Sequence, residues 1–411
     1  MHIWLLSIFE QTPVDQVFST RFLSIAEEAL QRGHSVTFIG STFKHNTKNQ
    51  RFEETTEMDY RPGYRLLFVK SPAYRRNISP RRLWAHHRFS KDLIQHLNER
   101  DDRPDIILLA FPPVSVAYEV SRWAMAKQIP VVMDIIDPWP DTFSLAVPGR
   151  LRSLASPLLL EPMRGRLRAT LKNLSGLTAI SRQYIDWARG YYPSIPATEV
   201  LYPAADLEAI RQAIQESALP KEHSGLKVIY AGSLASSYDI PCILNAAALL
   251  EEACPDIHFF IAGAGPQAEL VSEYEKNHQN LIFLGRLPKQ ELMGYYAQSD
   301  LGLTQHIRGA SQSVTYKLFD LLSAGLPILN SLESEMKEII LNNEVGLHND
   351  PGDAAGLAEN ITFFYDHPAE LRRYRENGWE LTRKLGDTKV VYARFLDLLE
   401  QTASAKEQPK R

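Results

Sequence analysis

Short apolar runs alternate with amphipathic helical patterns along almost the entire chain. Ile3–Phe9 has the pattern of a buried strand, Phe22–Gln31 that of a helix, and Ser35–Ile39 that of the next strand. Because successive strands separated by helices pair in parallel, this alternation predicts an α/β fold built on parallel sheets. Further runs of strand type occur at Arg65–Val69, Asp105–Leu109, Val131–Asp134 and Leu177–Ile180.

The same alternation begins again after residue 225, which predicts a second domain. Lys227–Tyr230 and His258–Ala262 have the pattern of buried strands, and Tyr316–Ser323 has that of a helix. A chain of 411 residues is also too long for one ordinary hydrophobic core. We therefore expect two doubly wound, Rossmann-like domains that face each other across a cleft and are joined near Tyr202–Leu219.

Charge and cysteine usage exclude several classes of protein. The formal net charge of −4 lacks the basic excess typical of nucleic-acid-binding domains. Cys242 and Cys254 match neither a disulfide framework nor a metal site, which favours a reducing compartment. The apolar start has no basic segment before it and meets Glu10 at once, and no run approaches the roughly 18 apolar residues of a membrane span. We expect a cytoplasmic protein that meets a membrane only peripherally, at its inner face.

Glycine-rich turns follow three successive strands of the second domain. In open parallel sheets, ligands bind beyond the carboxyl ends of the strands, and small residues let the backbone approach them closely. One such turn alone is equally typical of ordinary strand-to-helix connections, whereas three in succession favour a phosphate-bearing ligand. The residues concerned are Gly232 and Ser233, then Gly263, Gly265 and Pro266, then Gly285, Arg286 and Leu287.

The segment Gln312–Ser331 resembles the C-terminal signature of family 4 glycosyltransferases. That signature has two glutamates in fixed spacing and a helix that ends in a small–Gly–x–Pro turn. Here Gln312 and Asp320 occupy the glutamate positions, and 323–327 matches the closing turn. The resemblance is strong after residue 225 and looser before it, and it implies the GT-B fold and transfer with retention of anomeric configuration.

The resemblance also implies roles for these side chains. Asp320 would accept hydrogen bonds from ribose hydroxyls, and Gln312 would meet hydroxyls of the donor sugar. Ser233 and Tyr238 stand where the family usually has an Arg and a Lys that neutralise the diphosphate. A departing diphosphate needs cationic help, so we name Lys317, then Arg308, then Arg286 as replacements. The competing interpretation is that these are solvated side chains on a helix face.

The acceptor is expected at the first domain. Glu10 and Arg21 flank the loop after the first strand, and Asp137, Trp139 and Asp141 follow the strand Val131–Asp134. This second cluster resembles an Asp–x–aromatic–Pro–acid segment of polysaccharide-type members, and Asp137 is our first candidate for orienting the acceptor hydroxyl. Arg21 pairing with an acidic neighbour, and a Pro-rich turn anchored by Trp139, are the structural alternatives.

Residues 61–91 combine many arginines and lysines with aromatic side chains and contain no acidic residue. Arg75 and Arg76 lie at the centre of this stretch. Such a composition suits anionic lipid headgroups or a lipid-linked pyrophosphate, and it also suits a solvated surface. Single-stranded nucleic acid would fit as well, but nothing else in the chain supports it.

Together these features predict a retaining hexosyltransferase of bacterial surface-polysaccharide type. It would move a sugar from a nucleoside diphosphate sugar, expected to be a UDP-sugar, to a saccharide or lipid-linked acceptor, with no metal and no further cofactor. We expect an acceptor domain over 1–205, a donor domain over 206–385, and a helix over 386–411 that returns to the first domain before a polar tail. The alternatives are a non-catalytic GT-B partner and a nucleotide-sugar epimerase.

Overall fold

The structure is a computed structural model that describes residues 1–15, 20–77, 79–146, 149–217 and 225–405, and of 144–146 and 149–159 only the backbone. The chain divides into two compact units, Met1–Leu201 with Tyr392–Arg411 and Tyr202–Val391. The end of the expected joining segment, at 218–219, lies outside the described residues, as does the tail beyond 405. Within the described part of the chain, no helix combines the length and apolar character that a membrane crossing requires.

The first unit contains an eight-stranded sheet and a short antiparallel pair. The strands are β1 His2–Leu6, β2 Ser35–Ser41, β3 Phe43–Lys44, β4 Asn49–Gln50, β5 Thr56–Arg61, β6 Tyr64–Val69, β7 Ile106–Phe111, β8 Val131–Ile135, β9 Gly176–Ala179 and β10 Ala197–Val200. The sheet order is β10-β9-β8-β7-β1-β2-β6-β5, and β3 pairs with β4. The order reverses between β1 and β7, which is where ligands of doubly wound sheets bind.

The second unit contains a six-stranded, all-parallel sheet. Its strands are β11 Leu226–Ala231, β12 Ile257–Ala262, β13 Leu281–Gly285, β14 Leu301–Thr304, β15 Ile328–Asn330 and β16 Gly346–His348. They are arranged in the order β13-β12-β11-β14-β15-β16. The reversal point here lies between β11 and β14.

Helices cover both faces of these sheets, as a parallel sheet requires. Those before residue 217 are α1 Arg21–Gln31, α2 Pro80–Glu99, α3 Val114–Ala126, α4 Gly149–Lys172, α5 Arg182–Tyr191 and α6 Leu207–Gln215. Those after residue 225 are α7 Ile240–Ala253, α8 Ala268–Asn277, α9 Lys289–Gln298, α10 Lys317–Ser323, α11 Glu335–Asn342, α12 Ala354–Asp366, α13 Pro368–Leu381 and α14 Thr388–Ser404.

The central strands are apolar on both faces. All residues of β7, with the sequence IILLAF, are buried, as expected for a strand covered by helices on each side. The helices begin at recognisable signals: the Ser79 side chain accepts a hydrogen bond from the Arg82 backbone N–H, and Pro80 occupies the first turn of α2. At β7 and at the start of α2, the local structure is therefore the one that the sequence favours.

One part of the sheet differs from the purely parallel expectation. β5 runs antiparallel to β6 at the edge of the sheet, and its residues are mostly exposed. An edge strand with one solvated side needs neither the apolar run nor the crossover helix by which the other strands were identified.

Candidate functional site

A pocket of about 320 Å³ lies at the carboxyl ends of β11, β12 and β13. It is formed by the three predicted glycine-rich loops and the start of α9. Its lining residues are Ala231, Gly232, Ser233, Ala262, Gly263, Ala264, Arg286, Leu287 and Leu292. Gly265, Pro266 and Gly285 belong to the same loops but do not line the pocket.

Glycine is required where these loops touch. A Cβ atom on Gly263 would lie 1.9 Å from the carbonyl oxygen of Gly232, and one on Gly265 would lie 2.6 Å from the carbonyl of Leu234. Gly232 also has a φ of +153°, which side-chain-bearing residues rarely adopt. The floor of the pocket is therefore bare backbone, which a phosphate group can approach closely.

Lys317, in the first turn of α10, lies against the Gly232 backbone, but Lys317, Gln312 and Asp320 are not among the residues that line the pocket. A Cβ on Gly232 would lie 2.6 Å from Lys317 Nζ, so the ammonium group rests against the Gly232 backbone. The nitrogen is buried and has no hydrogen-bond partner among the described residues. It lies 4.0 Å from the ring centre of Tyr230 and 4.4 Å from that of Tyr238. Burial lowers the pKa of Lys317 to about 7, so the amine is only partly protonated near pH 7, and its charged form has no counter-ion among the described residues.

His306 adds a further polar group that the sequence analysis did not identify. Its ring lies 4.9 Å from Tyr238, and its Nε2 is buried without a hydrogen-bond partner in the described residues. Burial, and then the Lys317 charge, lower its pKa to about 4, so the imidazole is neutral near pH 7. The signal for it was its position just after β14, at the reversal point of the sheet.

Asp320 lies one turn beyond Lys317 on α10. Burial raises the pKa of its carboxyl to about 6, while the charge of Lys289 opposes this effect. Gln312 precedes the helix, and its Oε1 is buried without a partner among the described residues. Arg308 is exposed in the loop after β14 and does not line the pocket.

In the first unit, Arg21 forms a buried ion pair. Its Nε donates to Asp134 Oδ2 at 2.7 Å and its Nη2 to Oδ1 at 3.0 Å, and both side chains are 0% exposed. Thr178 donates a further hydrogen bond to the same carboxylate at 2.7 Å. Of the two alternatives for Arg21, the structure therefore contains the pairing with an acidic neighbour. Glu10 lies nearby, and burial raises the pKa of its carboxyl against the effect of the Arg21 charge.

Asp137 and Trp139 form a local unit after β8. Trp139 donates its indole N–H to Asp137 Oδ2 at 2.9 Å. Burial raises the pKa of Asp137, while this hydrogen bond and the Arg82 charge lower it. The Arg82 guanidinium stacks 4.7 Å from the centre of the Trp139 ring. The carboxyl predicted to orient the acceptor is thus held in place by the indole N–H of Trp139, whose ring lies beside the Arg82 guanidinium.

Asp141, predicted to contact the acceptor, is occupied by internal contacts. Trp187 and Tyr191 donate to its Oδ2 at 2.8 and 2.7 Å, and Arg164 donates to Oδ1 at 2.8 Å. These bonds tie α4 and α5 to the end of β8. The contacts give Asp141 a structural role because both of its carboxylate oxygens already accept hydrogen bonds from the protein.

The basic stretch 61–91 is less charged than its sequence indicates. Arg75 and Arg76 are exposed just before α2, and neither has a carboxylate partner among the described residues. Many of the other cations are neutralised by ion pairs: Arg61 with Glu27, Arg65 with Asp59, Lys70 with Glu54, Arg88 with Asp92, and Lys91 with Glu119. The unpaired positive charge is therefore concentrated near residues 75–81.

One group of side chains has the composition of a metal site. Ligand atoms of Glu333, His348 and Asp350 lie within 4.8 Å of one another in the second unit. His348 Nε2 and Glu333 Oε1 are 2.9 Å apart, and Lys337 pairs with the same glutamate. These contacts account for the cluster as a partly exposed ion-pair network.

In the comparison with known proteins, the two halves of the chain match two different family models. The family described as glycosyl transferases group 1 matches residues 212–380, and that described as glycosyl transferase 4-like domain matches 18–204. A phosphatidyl-myo-inositol mannosyltransferase of Mycobacterium leprae is 24% identical over 62% of this chain and 66% of its own. A glycogen synthase of Mycobacterium tuberculosis is 26% identical over 43% of this chain and 44% of its own. The matches thus span less than two thirds of these relatives.

Solved structures share the fold over nearly the full length. Sucrose-phosphate synthase of Thermosynechococcus elongatus has a TM-score of 0.72 at 16% identity, covering 98% of this chain and 99% of its own. Anabaena HepE in complex with UDP has a TM-score of 0.66 at 13% identity, covering 97% and 99%. WaaG, a glycosyltransferase involved in lipopolysaccharide biosynthesis, has a TM-score of 0.63 at 14% identity, with the same coverage.

The contact between Gly263 and Gly232 gives a stability prediction. Gly263→Ala should lower the free energy of unfolding by about 1–3 kcal/mol, because its Cβ would overlap a carbonyl oxygen that cannot move away easily. Urea unfolding measures the change. Gly190→Ala is the matched control, since its Cβ meets nothing within 4 Å and α5 gains a better helix former. Equal stability of Gly263→Ala and the wild type would contradict the packing described here.

Proposed function

Because this chain belongs to the family 4 type of GT-B glycosyltransferases, we propose that it is a retaining hexosyltransferase that uses a nucleoside diphosphate sugar. The donor we propose is a UDP-sugar, and the acceptor is a saccharide or lipid-linked saccharide of surface-polysaccharide synthesis. The single observation that carries this proposal is the buried amine of Lys317, which has no hydrogen-bond partner among the described residues and lies against the bare backbone of Gly232. A buried amine without a counter-ion tends to lose its proton, and a bound anion would restore and stabilise its charged form.

A nucleoside diphosphate sugar would give each of these side chains and glycines a role. Negative charge develops on it as the bond to the sugar breaks, and preorganised cations and N–H groups stabilise that charge most strongly in a dry site. Lys317 supplies the cation, and the backbone of Gly232 and Gly263 allows close approach. Asp320, on the same helix, would accept hydrogen bonds from the ribose hydroxyls, and the unpaired Oε1 of Gln312 would accept one from the sugar. Asp137 would orient the acceptor hydroxyl, whose proton passes to the departing phosphate.

A uridine donor is supported by solved relatives of the same fold. Anabaena HepE has been solved in complex with UDP and with UDP-glucose. The pocket beside Gly232 and Gly263 lies at the carboxyl ends of β11 and β12, where doubly wound sheets bind their ligands. The proposed site needs no metal ion for the diphosphate because Lys317 is placed to meet its charge.

A non-catalytic role is the alternative suggested by the three residue changes at Gln312, Ser233 and Tyr238, of which the last two can be judged from their contacts. The contacts of both residues favour a rebuilt site over a lost one. Tyr238 places its ring beside the Lys317 ammonium group, and the Ser233 carbonyl accepts a hydrogen bond from the Tyr230 hydroxyl at 2.6 Å. The two tyrosines thus hold Lys317 beside Ser233 and Tyr238, the positions at which the family usually has an Arg and a Lys, and we propose that Lys317 replaces these cations.

We also propose that the first unit meets an anionic membrane surface. Leu83 and Trp84 are 44% and 51% exposed on α2, and the Arg81 guanidinium lies 5.5 Å from the Trp84 ring. Arg75 and Arg76 lie just before this helix. An exposed aromatic residue beside unpaired arginines suits the interface of an anionic bilayer, where a lipid-linked acceptor would be found.

The nucleotide assignment is tested by a thermal-shift panel with UDP, GDP, ADP and CMP. UDP should raise the melting temperature, because it binds only the folded protein. Asp320→Ala should weaken UDP binding by about 1–3 kcal/mol, the cost of removing hydrogen bonds to a charged group. Glu338→Ala, an exposed carboxylate on α11, is the matched control and should bind as the wild type does. The absence of a shift with every nucleotide at millimolar concentration would favour the non-catalytic alternative.

The Lys317 assignment predicts proton uptake on binding. The lysine is largely neutral above its pKa of about 7, and a bound diphosphate restores the ammonium form. Above pH 7, UDP affinity should therefore fall with rising pH by up to about tenfold per unit. Calorimetry at pH 8 in buffers of different ionisation enthalpy should find close to one proton taken up per UDP.

Lys317→Met should abolish that uptake and lower the rate of sugar transfer by about 10²–10³-fold, the scale of losing one group that stabilises developing charge. Lys276→Met, which removes an exposed lysine of α8, is the control and should retain both properties. Unchanged proton uptake and turnover in Lys317→Met would refute the assignment.

The membrane proposal is tested by vesicle flotation. Replacing both Arg75 and Arg76 by Gln should weaken binding to phosphatidylglycerol vesicles by about 1 kcal/mol per arginine. Arg88→Gln is the control, because the Arg88 charge is already paired with Asp92. Binding that is equal in all three proteins, or absent in the wild type, would exclude this surface.

A further inference from the structure

A second pocket, of about 170 Å³, lies within the first unit. It is enclosed by α2, the start of α3, α4 and the loop after β8. The side chains that carry the argument are His86, Ser115, Trp139 and Arg166. None of the functional roles assigned above uses the interior of this pocket.

His86 is a buried polar side chain with unsatisfied hydrogen bonding. It is 2% exposed, and neither ring nitrogen has a hydrogen-bond partner among the described residues. Burial and the charge of Arg82 lower its pKa to about 3, so the ring is neutral and offers one N–H donor. An unpaired buried donor costs free energy, and a group that entered the pocket could accept its hydrogen bond.

The charge behind His86 is positive. Arg82 is 8% exposed. Its Nη1 donates to the Asn77 carbonyl at 2.6 Å, and its Nε is buried without a partner among the described residues. Among the residues that the structure describes, no carboxylate lies within ion-pair distance of it. Asp137 influences it only at longer range. A buried guanidinium with incomplete hydrogen bonding gives this side of the pocket a positive potential that favours an anion.

The opposite wall is the beginning of α3. This helix has 13 residues, and its N-cap, Pro113, makes no side-chain hydrogen bond to the first turn. Val114 and Ser115 line the pocket, so the positive end of the helix dipole lies beside it. The exposed Arg166 of α4 completes the mouth, with its guanidinium 5.8 Å from the Tyr118 ring.

We propose that this pocket binds a phosphate group carried by the acceptor. The inference rests on the proposed glycosyl transfer for its biological meaning, but not for the binding itself. Trp139 lines the pocket and donates its indole N–H to Asp137. The Trp139 side chain therefore connects a phosphate bound here to the carboxyl assigned to the acceptor hydroxyl. The pocket would select acceptors that carry a phosphate close to the hydroxyl that receives the sugar.

The test uses the full chain labelled with ¹³C in its histidine rings. The His86 resonance is identified by its loss in His86→Phe, a variant that keeps the aromatic packing against Phe9 and Tyr74. Methyl phosphate should shift this resonance saturably, and neutral methyl glucoside should not. Arg166→Gln should weaken methyl phosphate binding at least roughly tenfold, the scale of one lost charged hydrogen bond. Arg168→Gln, two residues further along α4, should leave it unchanged.

The outcomes separate this proposal from the donor assignment. Asp320→Ala should bind UDP more weakly but keep the His86 response to methyl phosphate, because the two sites lie in different units. A protein that binds UDP but shows no His86 response, or an equal response to methyl glucoside, would overturn the phosphate pocket alone. Unchanged affinity in Arg166→Gln would overturn it as well.

A further arm identifies the source of the phosphate. Phosphatidylglycerol vesicles that reproduce the His86 shift would show that a lipid-borne phosphate reaches the pocket. A shift with methyl phosphate, but not with vesicles, would show that the acceptor phosphate belongs to a soluble saccharide.

Discussion

The proposed donor site depends on one amine that is kept away from water. Lys317 ends against the backbone of Gly232, between the rings of Tyr230 and Tyr238, with no hydrogen-bond partner in the described structure. The ring faces provide electrostatic attraction but accept no full charge, so the ammonium group remains available to a ligand. A side chain at residue 232 would collide with the end of Lys317, so the position of the amine depends on glycine there.

The buried polar groups of the protein are of two kinds. Arg21 with Asp134, and Asp141 with Trp187 and Tyr191, are pairs or networks whose hydrogen bonds are satisfied within the protein. Such groups hold strand ends and helices in place. Lys317, Gln312, Arg82 and His86 each have a buried atom that lacks a partner among the described residues. Groups of the first kind stabilise the framework around the proposed sites. Groups of the second kind could form their missing hydrogen bonds or ion pairs with a bound ligand.

The sequence predicted the inner parallel strands of both units because most of them are short apolar runs followed by a helix. It did not predict the short parallel edge strands β10 and β16, whose sequences ATEV and GLH form no apolar run. It did not predict β5, whose sequence TEMDYR has the polarity of a loop because the strand lies at a solvated edge. The glycine loops and Lys317 could be located from spacing and resemblance. The internal partners of Asp141 could not, because Trp187 and Tyr191 approach it only through the packing of α5. His86 carried a usable signal: with Arg82, Phe89 and Leu93 it forms a helical stripe, which indicates a buried face.

The last helix has a consequence for how the chain is made. The first unit includes residues from Tyr392 onwards, and Arg32 and Glu199 form ion pairs with Asp397 and Arg394 of α14. Proteins usually complete their domains from the N-terminus during synthesis. Here the order is reversed, since the second unit has all its strands before α14 emerges from the ribosome, while the first unit waits for its final helix. During translation, the nascent first unit is therefore left with an uncovered surface that chaperones can recognise.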